Sequence, residues 1–184
     1  MPLNENAVVS AGWIANADNN KRSYEPQRKN QFRLEVSLPG SPQSEEILAR
    51  SARVVSWPEF NISVIPVEFV NEIRHVAGRH EQAPIEITLL DFIGQDSTES
   101  VLWNWITKVY NPETGEMGYA NEYTAPVGDL QKLDPHGIVH STWRLVNVWP
   151  FKWKTGEGDM GAAEKSLTSV TFQCDKFYRV EVNS

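Results

Sequence analysis

The sequence predicts a mainly β protein built from antiparallel strands, with a single α helix. Apolar and polar residues alternate along several short segments, which is typical of strands with one buried face and one face in water. Only one segment has the periodicity of an amphipathic helix, so strands and helices do not alternate as they do in parallel α/β folds. We therefore expect about seven strands and one helix.

Three strands are expected in the first half of the chain, in addition to a longer one described next. Residues 32–38 alternate and end at the sequence Pro-Gly-Ser-Pro. Residues 49–57 form a weaker candidate that ends at Pro58, and residues 85–89 alternate again. Each of these segments is expected to have one buried and one exposed face.

Residues 62–75 carry the longest alternation and are expected to form one strand. Glu68 and Glu72 fall on its polar face, and Pro66 suggests an edge position or a bulge near its start. Residues 77–80 are expected to form the turn that follows.

The predicted helix begins near Asp96, which can cap it, with Glu99 three residues later as in a capping box. Its apolar residues recur on one face. They are Val101, Leu102, Trp105, Ile106 and Val109. Asn111 and Pro112 end the helix, and a turn-rich segment follows.

Three further strands are expected toward the C-terminus. Residues 141–149 form the first, which ends at Pro150. Residues 169–174 and 177–182 alternate and form the last two. No internal repeat and no low-complexity segment interrupts this order.

Length and composition indicate one domain, residues 31–184, preceded by an N-terminal arm, residues 1–30. The arm is rich in Asn and carries Trp13, which could dock on a partner subunit. No apolar stretch approaches the roughly 18 residues of a membrane span, and the first residues lack the pattern of a signal peptide. These features predict a cytosolic chain with no membrane anchor.

The charge of the chain argues against a protein that wraps tightly around nucleic acid. The net charge is −7 and the sequence pI is about 5.1, whereas such binding depends on neutralising phosphates. Residues 51–130 hold four Lys/Arg against twelve Asp/Glu, a net charge of −8. This acidic excess is expected either to keep the protein soluble or to serve the surface that the middle of the chain builds.

The sequence predicts no catalytic, cofactor-binding or metal site. His136 and His140 have the spacing of zinc ligands on a helix, but Pro135 and Gly137 argue against a helix there. The single Cys174 alternates onto an apolar face, so it is expected to be a buried, unreactive thiol. Pairs of carboxylates are numerous, but an acidic chain produces them by chance.

A GxGxxG sequence occurs at Gly156, Gly158 and Gly161. The dinucleotide-binding motif needs a strand before it and a helix opening on it, within a βαβ unit. Further strands follow here instead of a helix. The glycines therefore predict a flexible loop.

Seven tryptophans in 184 residues point modestly to oligomerisation, because aromatic residues are enriched at obligate interfaces. Trp103 and Trp105 lie two residues apart on the predicted helix and cannot share a face. Trp105 joins the apolar face. Trp103 is expected to cover a loop, a neighbouring sheet or another chain.

The order of these segments resembles the tail tube proteins of contractile-tailed bacteriophages, across roughly residues 31–182. The resemblance is carried by IPVEFVNEIRHVAG, IEITLLDF, the helical segment STESVLWNWITKVYNPETGEMG, STWRLVNVWPFKW and SVTFQCDKFYRVE. Its most specific parts are the hairpin containing Pro66, Asn71 and Val76-Ala77-Gly78, the Trp149-Pro150 pair, and the closing strand pair. The Asn-rich arm and the turn at residues 134–137 have no counterpart in the resemblance.

The resemblance implies an antiparallel β-sandwich or barrel-like subunit with one flanking helix. It implies that six copies form a ring with a shared inner β-barrel, and that rings stack into a hollow tube inside a contractile sheath. The implied partners are copies of the same chain, the tail sheath protein, the tape measure protein and the baseplate, with DNA passing through without specific binding. The implied location is the virion tail, assembled in the host cytoplasm, and the implied role is structural and not enzymatic.

Two sets of site residues follow from this resemblance together with the residue pattern. The candidates for inter-subunit contacts are in the arm, the helix, the hairpin tip and the glycine loop; they are Trp13, Trp103, Val76, Gly78 and Gly158. The candidates for the channel wall are the carboxylates Glu68, Glu72 and Glu86, because an acidic wall would repel phosphates.

Other functions stay open from the sequence alone. A tube initiator, a baseplate subunit, or a tube subunit of a type VI secretion or bacteriocin machine would have the same fold. A small β-barrel that binds a ligand or hydrolyses one would instead have a closed pocket with converging polar groups.

Overall fold

The computed structural model describes residues 27–38, 42–94, 97–161 and 163–180. Trp13 and most of the predicted N-terminal arm lie outside these residues, as does Asp96. The described part is mainly antiparallel β, as the sequence predicts.

Nine strands and three helices occur in the described ranges. In chain order they are β1 (Phe32–Val36), α1 (Pro42–Ser51), β2 (Ala52–Val55), β3 (Phe60–Phe69), β4 (Glu72–Gln82), β5 (Ile85–Leu90), α2 (Thr98–Val109), α3 (Ala120–Tyr123), β6 (Ala125–Leu133), β7 (Val139–Lys154), β8 (Leu167–Gln173) and β9 (Lys176–Val180).

Seven of the strands form one sheet, in the order β1-β6-β7-β8-β5-β2, with β9 also paired to β7. The long strand β7 belongs to both parts of this sheet. Its first part pairs with β6 and β9, and residues 149–154 pair with β8. We call β1, β6, β9 and the first part of β7 the first half-sheet. Residues 149–154 with β8, β5 and β2 form the second half-sheet.

One hydrophobic core joins the two half-sheets and the helices α1 and α2. Its members come from alternate positions of the strands and from one face of each helix. The fully buried ones include Leu34, Leu48, Ile85, Ile87, Leu89, Leu102, Leu130, Leu145, Val148 and Val170. The alternation predicted for β1, β5 and β8 is therefore confirmed.

The helix predicted after residue 96 is confirmed as α2, but its cap is Ser97. The Ser97 hydroxyl accepts a hydrogen bond from the backbone N–H of Ser100 at 3.1 Å. Val101, Leu102 and Trp105 are buried, as predicted.

Several sequence predictions about elements are wrong. Helices α1 and α3 and strand β6 are not expected from the sequence, and β7 does not end at Pro150 but continues to residue 154. Residues 62–75 are not one strand, because the chain reverses at Val70 and Asn71. Residues 77–80 are not a turn but part of β4.

Candidate assembly surface

Strands β3 and β4 form a two-stranded hairpin, residues 60–82, that lies outside the main sheet. Every residue of β3 is exposed, and so are most residues of β4. The exposed apolar residues of the hairpin are Phe60, Ile62, Val64, Ile65, Val67, Phe69, Val70, Ile73 and Val76. An exposed apolar surface of this extent is typical of an interaction site.

Both faces of the hairpin carry apolar residues. Directly paired residues share a face, and the register pairs Ile65 with Val76 on one face and Val64 with Ala77 on the other. A strand pair at the surface of a lone domain normally has one polar face. This hairpin is therefore suited to be covered on both sides.

The base of the hairpin is held by aromatic contacts. The ring of Phe60 lies 4.8 Å from that of Phe177 in β9, edge to face, and 5.3 Å from the ring of His80. Trp143 of β7 lies 6.2 Å from Phe60. These contacts fix where the hairpin leaves the domain.

A bulge in the middle of the hairpin depends on Gly78. The register shifts between Ile62 and Val64, and the Ser63 hydroxyl bridges to β4 there. It accepts from the Arg79 N–H at 2.9 Å and donates to the Arg79 carbonyl at 3.1 Å. A Cβ on Gly78 would lie 2.5 Å from the Ser63 Oγ, so only glycine allows this close approach.

Two of the predicted site residues are in the hairpin but not at its tip. Val76 and Gly78 lie inside β4, and the tip is formed by Val70 and Asn71. Val70 has a φ of 56°, which is unusual for a β-branched residue, and it is 92% exposed. The predicted tip position is wrong because no glycine or proline marks the actual reversal, where Asn71 is the only turn-forming residue type and the residue with positive φ is a valine.

The predicted common polar face of Glu68 and Glu72 is also wrong. Glu68 pairs with Ile73, and Glu72 pairs with Phe69. Successive residues of a strand point to opposite faces, so the two carboxylates lie on opposite faces of the hairpin tip. Near the tip, the guanidinium of Arg74 stacks on the ring of Phe69, with its central carbon 4.5 Å from the ring centroid.

Glu86 lies on the outward face of the second half-sheet. It is exposed, while its neighbours Ile85 and Ile87 are buried. It pairs with Thr171 of β8, and its backbone exchanges hydrogen bonds with Ser56. The fold thus places Glu86 in the main sheet, apart from the two hairpin carboxylates.

Trp103 lies at the edge of a groove next to β7. It is 44% exposed, and its ring is 5.9 Å from that of Trp153. Glu99 and Ser100 complete the groove, which has a volume of about 390 Å³. Trp105 instead faces the core, where its indole N–H donates to the Tyr123 carbonyl at 2.6 Å, as the helical spacing predicts.

The glycine sequence at residues 156–161 lies in the connection between β7 and β8. These strands are antiparallel neighbours, so the segment does not open a βαβ unit. Gly158 has no atom within 4 Å of where its Cβ would be. The loop prediction is confirmed, and the loop is a surface feature.

The outward face of the first half-sheet carries a structural ion pair. The Arg144 guanidinium donates two hydrogen bonds to the Asp129 carboxylate, both 2.9 Å long. These hydrogen bonds and the carboxylate charge raise the pKa of Arg144. A bidentate pair of this kind fixes two neighbouring strands against each other.

No three His, Cys, Asp or Glu side chains within the described ranges are placed to hold a metal ion. Cys174 is buried, and desolvation together with the charge of Asp175 raises its pKa to about 11. No helix in the described part is both long and apolar enough to cross a membrane.

Comparison with solved structures finds chains of similar fold. A chain of the anti-feeding prophage cap, which terminates the tube, matches with a TM-score of 0.67 at 13% identity and covers 92% of this chain and 100% of its own length. A chain of the sheath/tube terminator of an extracellular contractile injection system, PVC, matches with a TM-score of 0.65 at 14% identity. It covers 85% of this chain and 98% of its own length. A chain of the sheath–tube complex of that system matches with a TM-score of 0.64 at 15% identity. It covers 94% of this chain and 97% of its own length.

This chain has the fold of contractile-tail tube proteins. The resemblance inferred from the sequence is therefore confirmed at the level of the fold. No protein-family model matches the chain, and no curated protein matches it. The matched structures are tube-associated proteins. Their structural similarity establishes the fold of this chain, but at such low sequence identity it does not establish its role.

Proposed function

We propose that this chain is the structural subunit of a phage tail tube. Six copies form a ring, rings stack into a hollow conduit inside a contractile sheath, and the conduit delivers the genome. The observation that carries this proposal is the hairpin at residues 60–82, which exposes apolar residues on both faces in a chain with the tube fold.

The hairpin supplies the contacts between copies. Its base is fixed by Phe60, so its apolar length is held away from its own domain. Packing it against a neighbouring copy removes this surface from water, which stabilises the ring by the hydrophobic effect. Free sheet edges give a second reason to assemble, because closure into a shared barrel removes them.

The channel wall in this proposal includes Glu68, Glu72 and Glu86. An acidic wall repels DNA phosphates, whereas a basic wall would bind them with release of counterions. Glu86 reaches the channel if the outward face of the second half-sheet lines it. Glu68 and Glu72 lie on opposite faces of the hairpin, so both reach the channel only if the hairpin tip enters it end-on.

The partners in this proposal contact the tube from outside, at one end and within its lumen. The sheath protein contacts its outer wall, the baseplate contacts one end, and the tape measure protein occupies the lumen before DNA does. The tube is assembled in the host cytoplasm and becomes part of the virion. The chain performs no catalysis in this role.

A role at the end of the tube is the second candidate. Two of the matched structures are a tube-terminating cap and a sheath/tube terminator. A subunit that ends the tube would be present in one ring per particle, whereas a tube subunit would be present in many. Counting copies of the chain in purified particles distinguishes the two roles. The same count distinguishes a tube subunit from a tube initiator or baseplate subunit, which would also be present in few copies.

Assembly of the purified chain tests the main proposal. Electron microscopy and mass measurement are expected to show rings of six chains, each of 20.9 kDa, and stacked tubes. Val67→Asp, in the hairpin, is expected to abolish rings. Ile138→Asp is the matched control, because Ile138 is an exposed apolar residue outside the hairpin. A wild-type chain that stays monomeric at all concentrations contradicts the proposal, and so does a Val67→Asp chain that assembles normally.

A further inference from the structure

Among the described strands, the second half-sheet has an unpaired edge on each of two opposite sides. Its strand order is β7-β8-β5-β2, and no other described strand pairs with β2 or with residues 149–154 of β7. In a closed ring, copies meet head to tail, so one side of a copy contacts the opposite side of the next. The edge at β2 is therefore suited to meet the edge at residues 149–154 of a second copy.

Each of these edges carries an unusual group. Beside residues 149–154 lies the groove of Glu99, Ser100, Trp103 and Trp153. Glu99 is exposed, and its carboxylate makes no hydrogen bond or ion pair with a described residue. The groove thus combines a free negative charge with two aromatic rings, one of them 44% exposed.

The β2 edge carries a cation. Arg53 is the extra residue of a bulge, where the register with β5 shifts between Ala52 and Val54. Arg53 is exposed and forms no ion pair within the described ranges. A guanidinium pairs with a carboxylate and also stacks on aromatic rings, so the groove offers it both kinds of contact.

We propose that Arg53 of one copy binds the groove of Glu99, Trp103 and Trp153 on the next copy in the ring. This inference rests on the proposed function, because it needs a ring. It assigns Trp103 to the contact between copies within a ring, and it makes the interface heterologous: each copy donates Arg53 on one side and the groove on the other.

A charge swap tests this contact. Arg53→Glu and Glu99→Arg are each expected to lower the ring fraction at equal concentration by about tenfold or more, because each puts like charges together. The double variant restores the opposite charges and is expected to return to within about threefold of wild type. Arg179→Glu is the matched control, since Arg179 is an exposed arginine on β9 of the first half-sheet and, like Arg53, forms no ion pair within the described ranges.

Thiol cross-linking tests the placement directly. Two cysteines at these positions would be too far apart for a direct disulfide, because an arginine–glutamate pair separates the two Cα atoms by more than a disulfide spans. In the double variant Arg53→Cys and Glu99→Cys, a bis-maleimide with a spacer as long as the replaced pair is therefore expected to give covalent oligomers of assembled rings, up to the closed ring. Neither single variant should do so, and the native Cys174 is buried. Circular dichroism of each variant shows whether the chain is folded, and Arg53→Gln replaces Arg53→Glu if that variant is not.

The outcomes separate this inference from the proposed function. If wild-type rings form but Arg53→Glu assembles equally well, the contact is wrong and the ring stands. A swap that rescues nothing, or cysteines that do not cross-link, also overturns the contact. If the wild-type chain forms no rings at all, the proposed function itself fails.

Discussion

Gly78→Ala is expected to distort the hairpin without unfolding the domain. The new Cβ would lie 2.5 Å from the Ser63 Oγ, and 3.0 Å from both the Ser63 carbonyl oxygen and Cγ1 of Ile65. All three atoms belong to β3, two of them to Ser63 at its bulge, and the backbone oxygen cannot simply rotate away. The strands must separate locally, and the Ser63 hydroxyl must leave its bridge to Arg79.

The size of the effect follows from these contacts. The bridge consists of two hydrogen bonds, of 2.9 and 3.1 Å, each worth about 0.5–1.5 kcal/mol. Overpacking by one methyl group adds about 1 kcal/mol at an exposed site that can relax. A local loss at the lower end of this sum, about 2 kcal/mol, raises hydrogen exchange in the hairpin about thirtyfold, and a larger loss raises it further. The free energy of global unfolding should change little, because the hairpin lies outside the core.

Hydrogen exchange and ring formation together measure this prediction. Amides of residues 60–82 should exchange faster in Gly78→Ala, core amides should not, and ring formation should be lost or much reduced. Gly158→Ala is the matched control for hydrogen exchange, because no atom lies within 4 Å of its Cβ position. Ile138→Asp, an exposed position outside the hairpin, is the control for ring formation. Ser63→Ala removes the closest contact, so Gly78→Ala should cost less in that background than in the wild type.

Two results would refute the reasoning. If Gly78→Ala leaves exchange of the hairpin and ring formation unchanged, the close approach to Ser63 has no energetic weight. If exchange rises equally in the core and in the hairpin, then the hairpin is not an independent unit and its role as a projecting assembly arm is wrong.

Three further predictions concern the folded domain. Leu89→Ala should lower the free energy of unfolding by about 2–5 kcal/mol in chemical denaturation, because Leu89 is fully buried in the core. Ser97→Ala should cost about 0.5–2 kcal/mol in the same assay, because the hydroxyl caps α2. Cys174 should react with thiol reagents at pH 8 only after unfolding. Its folded pKa of about 11 lies above the ordinary thiol value of about 8.5, so its contribution to stability should be lost as the pH rises from about 8.5 through 11.

Strands with one buried face could be predicted from the sequence. In β5, Ile85, Ile87 and Leu89 alternate with exposed or half-buried residues, and the structure buries all three. The same holds for the helix α2, whose apolar face is set by Val101 and Trp105. Local alternation was enough there because burial of each element depends on which face it turns to a single core.

Elements with weak patterns could not be predicted. Strand β6 contains Pro126 and Gly128, and several of its outward positions are half-buried, which hides the alternation. Helix α1 has only Ile47 and Leu48 as large apolar residues. Its start at Pro42 does follow a known preference, because proline is favoured in the first turn, where its missing N–H is not needed.

The reversal of the hairpin was lost for a different reason. Val70 adopts a positive φ, although β-branched residues rarely do, and neither glycine nor proline is present at the reversal. Asn71 is the only turn-forming residue type there, which is a weak signal inside an apolar segment. The apolar residues on both sides of the reversal then simulate one long strand. A sequence pattern gives the period of a segment but not the point where it turns back, and here only the register shows that Glu68 and Glu72 are on opposite faces.

The assembly contact proposed for Arg53 could not be predicted from sequence patterns at all. Trp103 could be singled out because it departs from the apolar face of its helix, yet its partner Trp153 is 50 residues away on β7. Arg53 has no local feature that sets it apart from the other cations. It becomes a candidate only once the strand order puts β2 and residues 149–154 at opposite edges of one half-sheet. A ring requires such complementary pairs of edges, so the strand order is the information that turns an exposed arginine and an open aromatic groove into two halves of one contact.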